Sequence, residues 1–307
     1  MKVLGIALAV VIGLQGAAFA APAQQKSFES LDDAVSALIS AFRTGDRKAI
    51  VEVLGPLGRP LVSSGDDTAD RRGFQRFVAE YDRAHRLEGG GGKVILYVGA
   101  DDFPFPIPLV PDGPLWFWDT DAGDDEILYR RVGRNELSTI QVCLAYVDAQ
   151  REYYAVDRTG AGLLEYAQHF ASSTGKRDGL YWATRPDERP SPLGPLVAQA
   201  RARGYTKQGG GPVPYEGYFY RILLAQGPDA PGGAYDFVVK GHMIGGFALV
   251  AFPAKYGVSG IMTFIVSHDG VVYQKDLGPK TPQIAEAMKT YNPDRTWQKT
   301  AAITSAR

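Results

Sequence analysis

Residues 116–137, WFWDTDAGDDEILYRRVGRNEL, hold six acids and three arginines in one short stretch. Oxygen ligands from Asp119, Asp121 and Asp125 could hold a hard cation such as calcium. A regular calcium loop needs oxygens at alternating positions, glycine at the sixth and glutamate at the twelfth. Counting from Asp119, the fifth is Gly123, the sixth Asp124 and the twelfth Arg130. Only an irregular metal site survives that test. Local structure explains most of these charges instead. Asp124 or Asp125 caps a short helix, Glu126 and Arg130 pair at i,i+4, Gly133 stops that helix and Asn135 caps the next. Arg131 and Arg134 have no local partner, which makes them candidates to grip an anion or a protein. Trp116 and Trp118 share one face of a strand. They are candidates for a sugar or peptide surface, with burial in the core as the simpler reading.

Other catalytic patterns are thinner. Ser173 and Lys176 have the S-x-x-K spacing of serine enzymes, in which a lysine one helical turn on takes the serine proton. Gly175 intervenes, and no S-D-N or K-T-G follows. YGVSGI places Ile261 where a nucleophile elbow needs glycine. His85, His169, His242 and His268 show no H-x-x-x-H spacing, so the pattern implies neither zinc nor any other cofactor. A glycosidase-type carboxylate pair is open, because sequence does not place two acids across a cleft.

The elements that must position these residues follow from periodicity. Ser30 caps a helix with Leu31, Val35, Leu38 and Phe42 on one face, and Asp46 caps a second. A third helix is expected over 70–87. KVILYVG is a strand, and the proline-broken run over 101–120 is an edge. A long helix runs from Asn135 to about Val156, and a shorter one covers GLLEYAQHFAS. PLVAQARAR is another helix. GYFYRILLA, AYDFVVKG, GGFALVAFP, GIMTFIVS and GVVYQKDL form an antiparallel meander, and TPQIAEAMKTY closes the chain as a helix. These readings give an α+β protein of two packed subdomains, 24–133 and 134–300.

The opening MKVLGIALAVVIGLQGAAFA has a positive start, a short apolar run and a small-x-small end. It is expected to be a signal peptide over 1–20, or to 23, which implies a periplasmic or secreted protein. No later run is apolar enough to cross a membrane. A single cysteine, Cys143, allows no internal disulfide. A formal charge of −1 over 307 residues argues against a nucleic-acid partner. An envelope protein or a glycan is the expected partner.

Eight stretches carry a family likeness: FPFPIPLV, the 116–137 run, DAQREYY, GKRDGLYW, SPLGPL, GYFYRILLAQG, GGFALVAFPAKYGVSGIMTFIV and YQKDLGP. Together they resemble a bacterial exported family catalogued only as domain of unknown function number twenty-nine fifty. That resemblance implies export and supplies no catalytic residue. The first helices resemble the opening of an NTF2-like α+β cone. The second half resembles the globular head of type IV pilins, although its helix is internal and lacks their apolar stem. The expectation is a non-catalytic binding or scaffolding protein of the bacterial envelope. An envelope hydrolase and a small-ligand carrier with a cone-shaped pocket are the alternatives.

Overall fold

The computed structural model describes residues 24–206 and 211–301. The expected signal segment lies outside the described residues.

Ser30 Oγ accepts the amide of Asp33 at 3.0 Å and opens α1 (Leu31–Thr44). Val35, Leu38, Ile39 and Phe42 recur at helical spacing and are all buried. Asp46 caps α2 (Arg47–Leu54) through the amides of Lys48 and Ala49. A short α3 (Arg59–Val62) leads to α4 (Asp67–Arg83), which Asp66 caps through Ala69 N. The pattern extends this helix to Leu87, but the chain leaves it at Arg83. His85–Gly90 is β1, an antiparallel partner of β2 (Lys93–Val98) across a glycine turn. Cross-strand pairing outweighs local helix propensity there. With β3 (Phe103–Pro104), β4 (Leu109–Asp112) and β5 (Leu115–Trp118) these strands form one five-stranded sheet.

The next element is α5 (Asp124–Tyr154), one helix of 31 residues. Gly133 was expected to end a short helix and Asn135 to cap another. Both lie inside α5. Asn135 is buried and donates to Ser259 O at 2.9 Å, so its side chain serves a contact 124 residues away, not a cap. The helix expected over 162–172 is also absent. Gln150 of α5 reads the backbone of Ala167 in both directions, at 2.8 and 2.9 Å. Those bonds satisfy groups that a helix would have paired internally. Residues His169–Ala171 instead form β6, parallel to β7 (Gly179–Tyr181).

After α6 (Gly194–Ala202) comes β8 (Tyr218–Leu223). Four two-residue strands follow: β9 (Ala225–Gln226), β10 (Tyr235–Asp236), β11 (Val238–Val239) and β12 (His242–Met243). AYDFVVKG was expected as one strand, but it breaks at buried Phe237. That residue donates to Leu224 O and accepts from Ile244 N and Gly245 N, so β10 and β11 take different partners. The main sheet contains β13 (Ala248–Pro253), β14 (Met262–Ser267) and β15 (Val272–Asp276). Then come α7 (Thr281–Ala287), β16 (Thr290–Tyr291) and β17 (Gln298–Lys299). Its order is β17-β15-β14-β13-β8, antiparallel throughout. All six residues of β13 are buried, with α5 and α7 both packed against it.

The protein is therefore α+β. Its buried apolar side chains fall into two clusters, one from Phe28 to Trp118 and one from Ile140 to Tyr291. Ile127 and Leu128 of α5 pack against the first cluster, while Ile140, Cys143 and Tyr146 belong to the second.

Candidate functional site

Two helices present arginines in pairs one turn apart. Arg72 and Arg76 sit at i,i+4 on α4, and Arg130 and Arg134 at i,i+4 on α5. Like charges at that spacing destabilise a helix by about 0.2–0.5 kcal/mol per pair. All four line one cleft of about 400 Å³, with Arg131 and Arg203 beside them. Its apolar lining includes Phe42, Phe74, Phe77 and Phe105. Phe42 stacks on Phe74 at 5.1 Å, and Phe77 meets Phe105 at 5.0 Å. Six arginines thus face two lining carboxylates, Asp70 and Glu216.

The arginines differ in how they are held. Arg130 pairs with Glu126 at 2.5 Å and lies over the Phe103 ring. Arg131 donates to the carbonyls of Pro60 and Leu61 at the end of α3, and burial pushes its pKa down. Arg72 and Arg203 share Glu216 Oε1, at 3.2 and 2.7 Å. Arg76 and Arg134 make no hydrogen bond or ion pair among the described residues. Arg134 is open to solvent inside the concavity, yet partial desolvation, and then the charge of Arg76, lower its pKa. Glu216 raises it in part and Arg72 lowers it further. Arg76 and Arg134 thus line the same cleft as exposed like charges, with Glu216 acting on Arg134 only at a distance and not as an ion-pair partner.

Glu216 is built into place. It is buried and takes φ of +52°, a conformation costly for a side-chain-bearing residue. Its amide donates to Tyr205 Oη at 3.1 Å, and Tyr205 Oη donates to Asp66 Oδ2 at 2.8 Å. Gly217 N also donates to Asp66 Oδ2, at 2.9 Å. Asp66, the cap of α4, therefore fixes both the helix carrying Arg72 and Arg76 and the turn carrying Glu216. Gly217 has φ of +82°, and a Cβ there would meet Asn135 Nδ2 at 2.4 Å, so only glycine fits.

Arginine keeps its charge and offers planar forks of donors that match carboxylate and phosphate oxygens. No histidine, cysteine or lysine is among the described lining residues. The arrangement is fitted to holding an anion.

The other sequence-singled residues lie elsewhere. Trp118 is fully buried and donates from Nε1 to Ala34 O at 3.2 Å. Trp116 is half-buried, and its backbone pairs with Phe28. Asp119 is half-buried, and desolvation followed by the charge of Asp121 raises its pKa. Asp121 and Asp125 are exposed. Among the described residues, no group of three or more His, Cys, Asp or Glu is arranged to hold a metal ion. Ser173 and Lys176 occupy an exposed turn between β6 and β7, where Lys176 N donates to Ser173 O. They do not share a helical face. Cys143 is buried in the second core, and burial pushes its thiol up to about 12. Of the expected site residues, the cleft gathers Arg131 and Arg134. Arg72, Arg76, Arg203 and Glu216 were not singled out. The like-charge spacing on α4 is the local signal that could have found the first two.

Fold and cleft define an α+β protein with an arginine-lined, aromatic-floored cleft beside the junction of its two cores. Among the described residues no helix is long and apolar enough to cross a membrane. The family model described as "Protein of unknown function (DUF2950)" matches residues 25–300, and the chain belongs to that family. No curated protein and no solved structure matches the chain.

Proposed function

We propose that this protein is an exported, non-catalytic binding protein that holds an anionic ligand in the arginine cleft. The observation that carries the reading is that six arginines line one cleft with two carboxylates, and that two of them, Arg76 and Arg134, lack a hydrogen bond or ion pair among the described residues. Like charges gathered in excess in one cleft cost stability. An anion between them removes that cost and gains charge-assisted hydrogen bonds. Arg72 and Arg203, already paired with Glu216, line the same cleft. Phe42, Phe74 and Phe77 lower the local dielectric, which strengthens each ionic contact. This is the small-ligand carrier with its pocket beside the junction of the cores. The apolar opening of the chain adds export to the reading.

Calorimetric titration of protein recovered from the periplasm, with its mature start expected at Ala21 or Gln24, tests both parts. Phosphate, ethyl phosphate and acetate at low ionic strength are the probes. Arg134→Ala and Arg76→Ala should each weaken binding by about tenfold to a hundredfold, the worth of one charge-assisted hydrogen bond. Equal affinity in wild type and both variants, or no binding at all, would overturn the cleft as the site. A recovered chain still beginning at Met1 would remove export.

A further inference from the structure

We propose, resting on the anion-binding reading above, that the ligand is an amphiphile: one anionic headgroup in the arginine cleft and one apolar chain in the neighbouring cavity. A second cavity of about 530 Å³ lies beside the cleft, and no charged side chain is among its described lining residues. Leu193, Leu196 and Val197 at α6, with Phe219 and Leu249 of the sheet, form much of its wall. A cavity of this size and lining suits a small apolar ligand.

Three elements place the two cavities side by side. On α5, Asn135 and Ser138 line the cleft, and Val142 and Tyr146 line the apolar cavity. Those four follow at three- and four-residue spacing, so they lie on one face in consecutive turns. At the end of α6, Ala200 faces the apolar cavity and Arg203 the cleft. Before β8, Tyr215 lines the cavity and Glu216 the cleft. Between the two lie the Arg203–Glu216 pair at 2.7 Å on the cleft side and the Tyr205–Tyr215 ring contact at 5.0 Å on the cavity side. Charge lies on one side of these contacts and apolar surface on the other. An anion joined to an apolar chain complements both. A headgroup phosphate or carboxylate competes with Glu216 for Arg203 and Arg72, and release of Arg203 opens these contacts to the chain.

The test is a chain-length series of alkyl phosphates with two, six and ten carbons, titrated below their micelle concentrations, beside matching alkanoates. Full burial of a methylene gives about fourfold in affinity. Either series should therefore tighten by at least about twofold per methylene, and the tighter series names the headgroup class. Ala200→Trp, and Leu196→Trp should the first fail to fold, fills the apolar cavity and should reduce the ratio of decyl to ethyl affinity. Arg134→Ala should weaken every member by the same factor and leave that ratio unchanged. Ethyl phosphate or acetate binding that does not tighten with chain length overturns the amphiphile and leaves the anion cleft standing. Failure of both series to bind overturns the two together.

Discussion

At the scale of single residues, Asp70 shows how the cleft wall is charged. It is buried on α4, with its Oδ2 accepting Ser64 N at 3.0 Å and Arg47 Nη2 at 3.2 Å. Desolvation dominates all the same and raises its pKa above the ordinary 3.8, against the pull of Ser64, Arg131 and Arg47. The folded chain therefore holds the Asp70 proton more tightly than the unfolded chain. Its stabilising share is fully present below pH 3.8 and is lost as pH rises through the folded-state value. Asp70→Asn removes this titration. The attraction of Arg47 and Arg131 acts only on the ionised carboxylate, so it is already contained in the net upward shift. The stability of wild type relative to the variant should fall as pH rises above 3.8 and then level off. Urea unfolding of both proteins at stepped pH measures the difference, and a difference flat across that range would sink the assignment. Arg131 and Arg134 stood out in the sequence as charges without local partners. Arg203 and Glu216 did not, because what joins them to Arg72 is the approach of segments over 100 residues apart, which no local pattern records.

At the scale of elements, α5 was the least legible part of the chain. Gly133 has the composition of a stop, and asparagine two residues later has the composition of a cap. Tertiary contacts override both. Asn135 spends its side chain on Ser259 O, and Glu136 accepts the amides of Ile261 and Met262 at 2.9 Å. Elements whose signals are local follow the sequence pattern. Ser30 caps α1 as its spacing predicts, and Glu126 meets Arg130 one turn on. The difference between α1 and the 162–172 segment is physical. The first satisfies its backbone internally, whereas the second borrows Gln150 from a helix already formed. Continuity of α5 makes a specific claim about Gly133. Its φ is not left-handed, it is exposed, and a Cβ there would meet nothing within 4 Å. Gly133→Ala should stabilise the protein by about 0.5–1 kcal/mol, the gain for alanine over glycine inside a helix. A thermal melt that drops instead would show that the helix breaks there.

At the scale of the whole molecule, α5 is the element that both cores share. Ile127 and Leu128 pack on the first, and Ile140 to Tyr153 belong to the second. Length points to about two domains and periodicity to helices and strands, while the structure shows two clusters of buried side chains. What joins the parts was not visible, since the joint is a helix read as two. Wild type should unfold in one calorimetric transition, because neither core keeps its α5 residues if the helix melts. Leu137 is exposed and lies between the two sets. Leu137→Pro touches no core residue but breaks the helix at a cost of about 3 kcal/mol, and it should split or broaden the transition. A single sharp transition at lower temperature would mean that other contacts couple the cores. The bonds from Asp66 to Tyr205 and Gly217 close sequence separations of 139 and 151 residues. They set an order of events. Synthesis delivers the chain from its amino end, and domains generally fold in that order. Arg72 and Arg76 are therefore made well before Glu216 arrives to neutralise one of them. The unfinished chain is more cationic at this spot than the finished one.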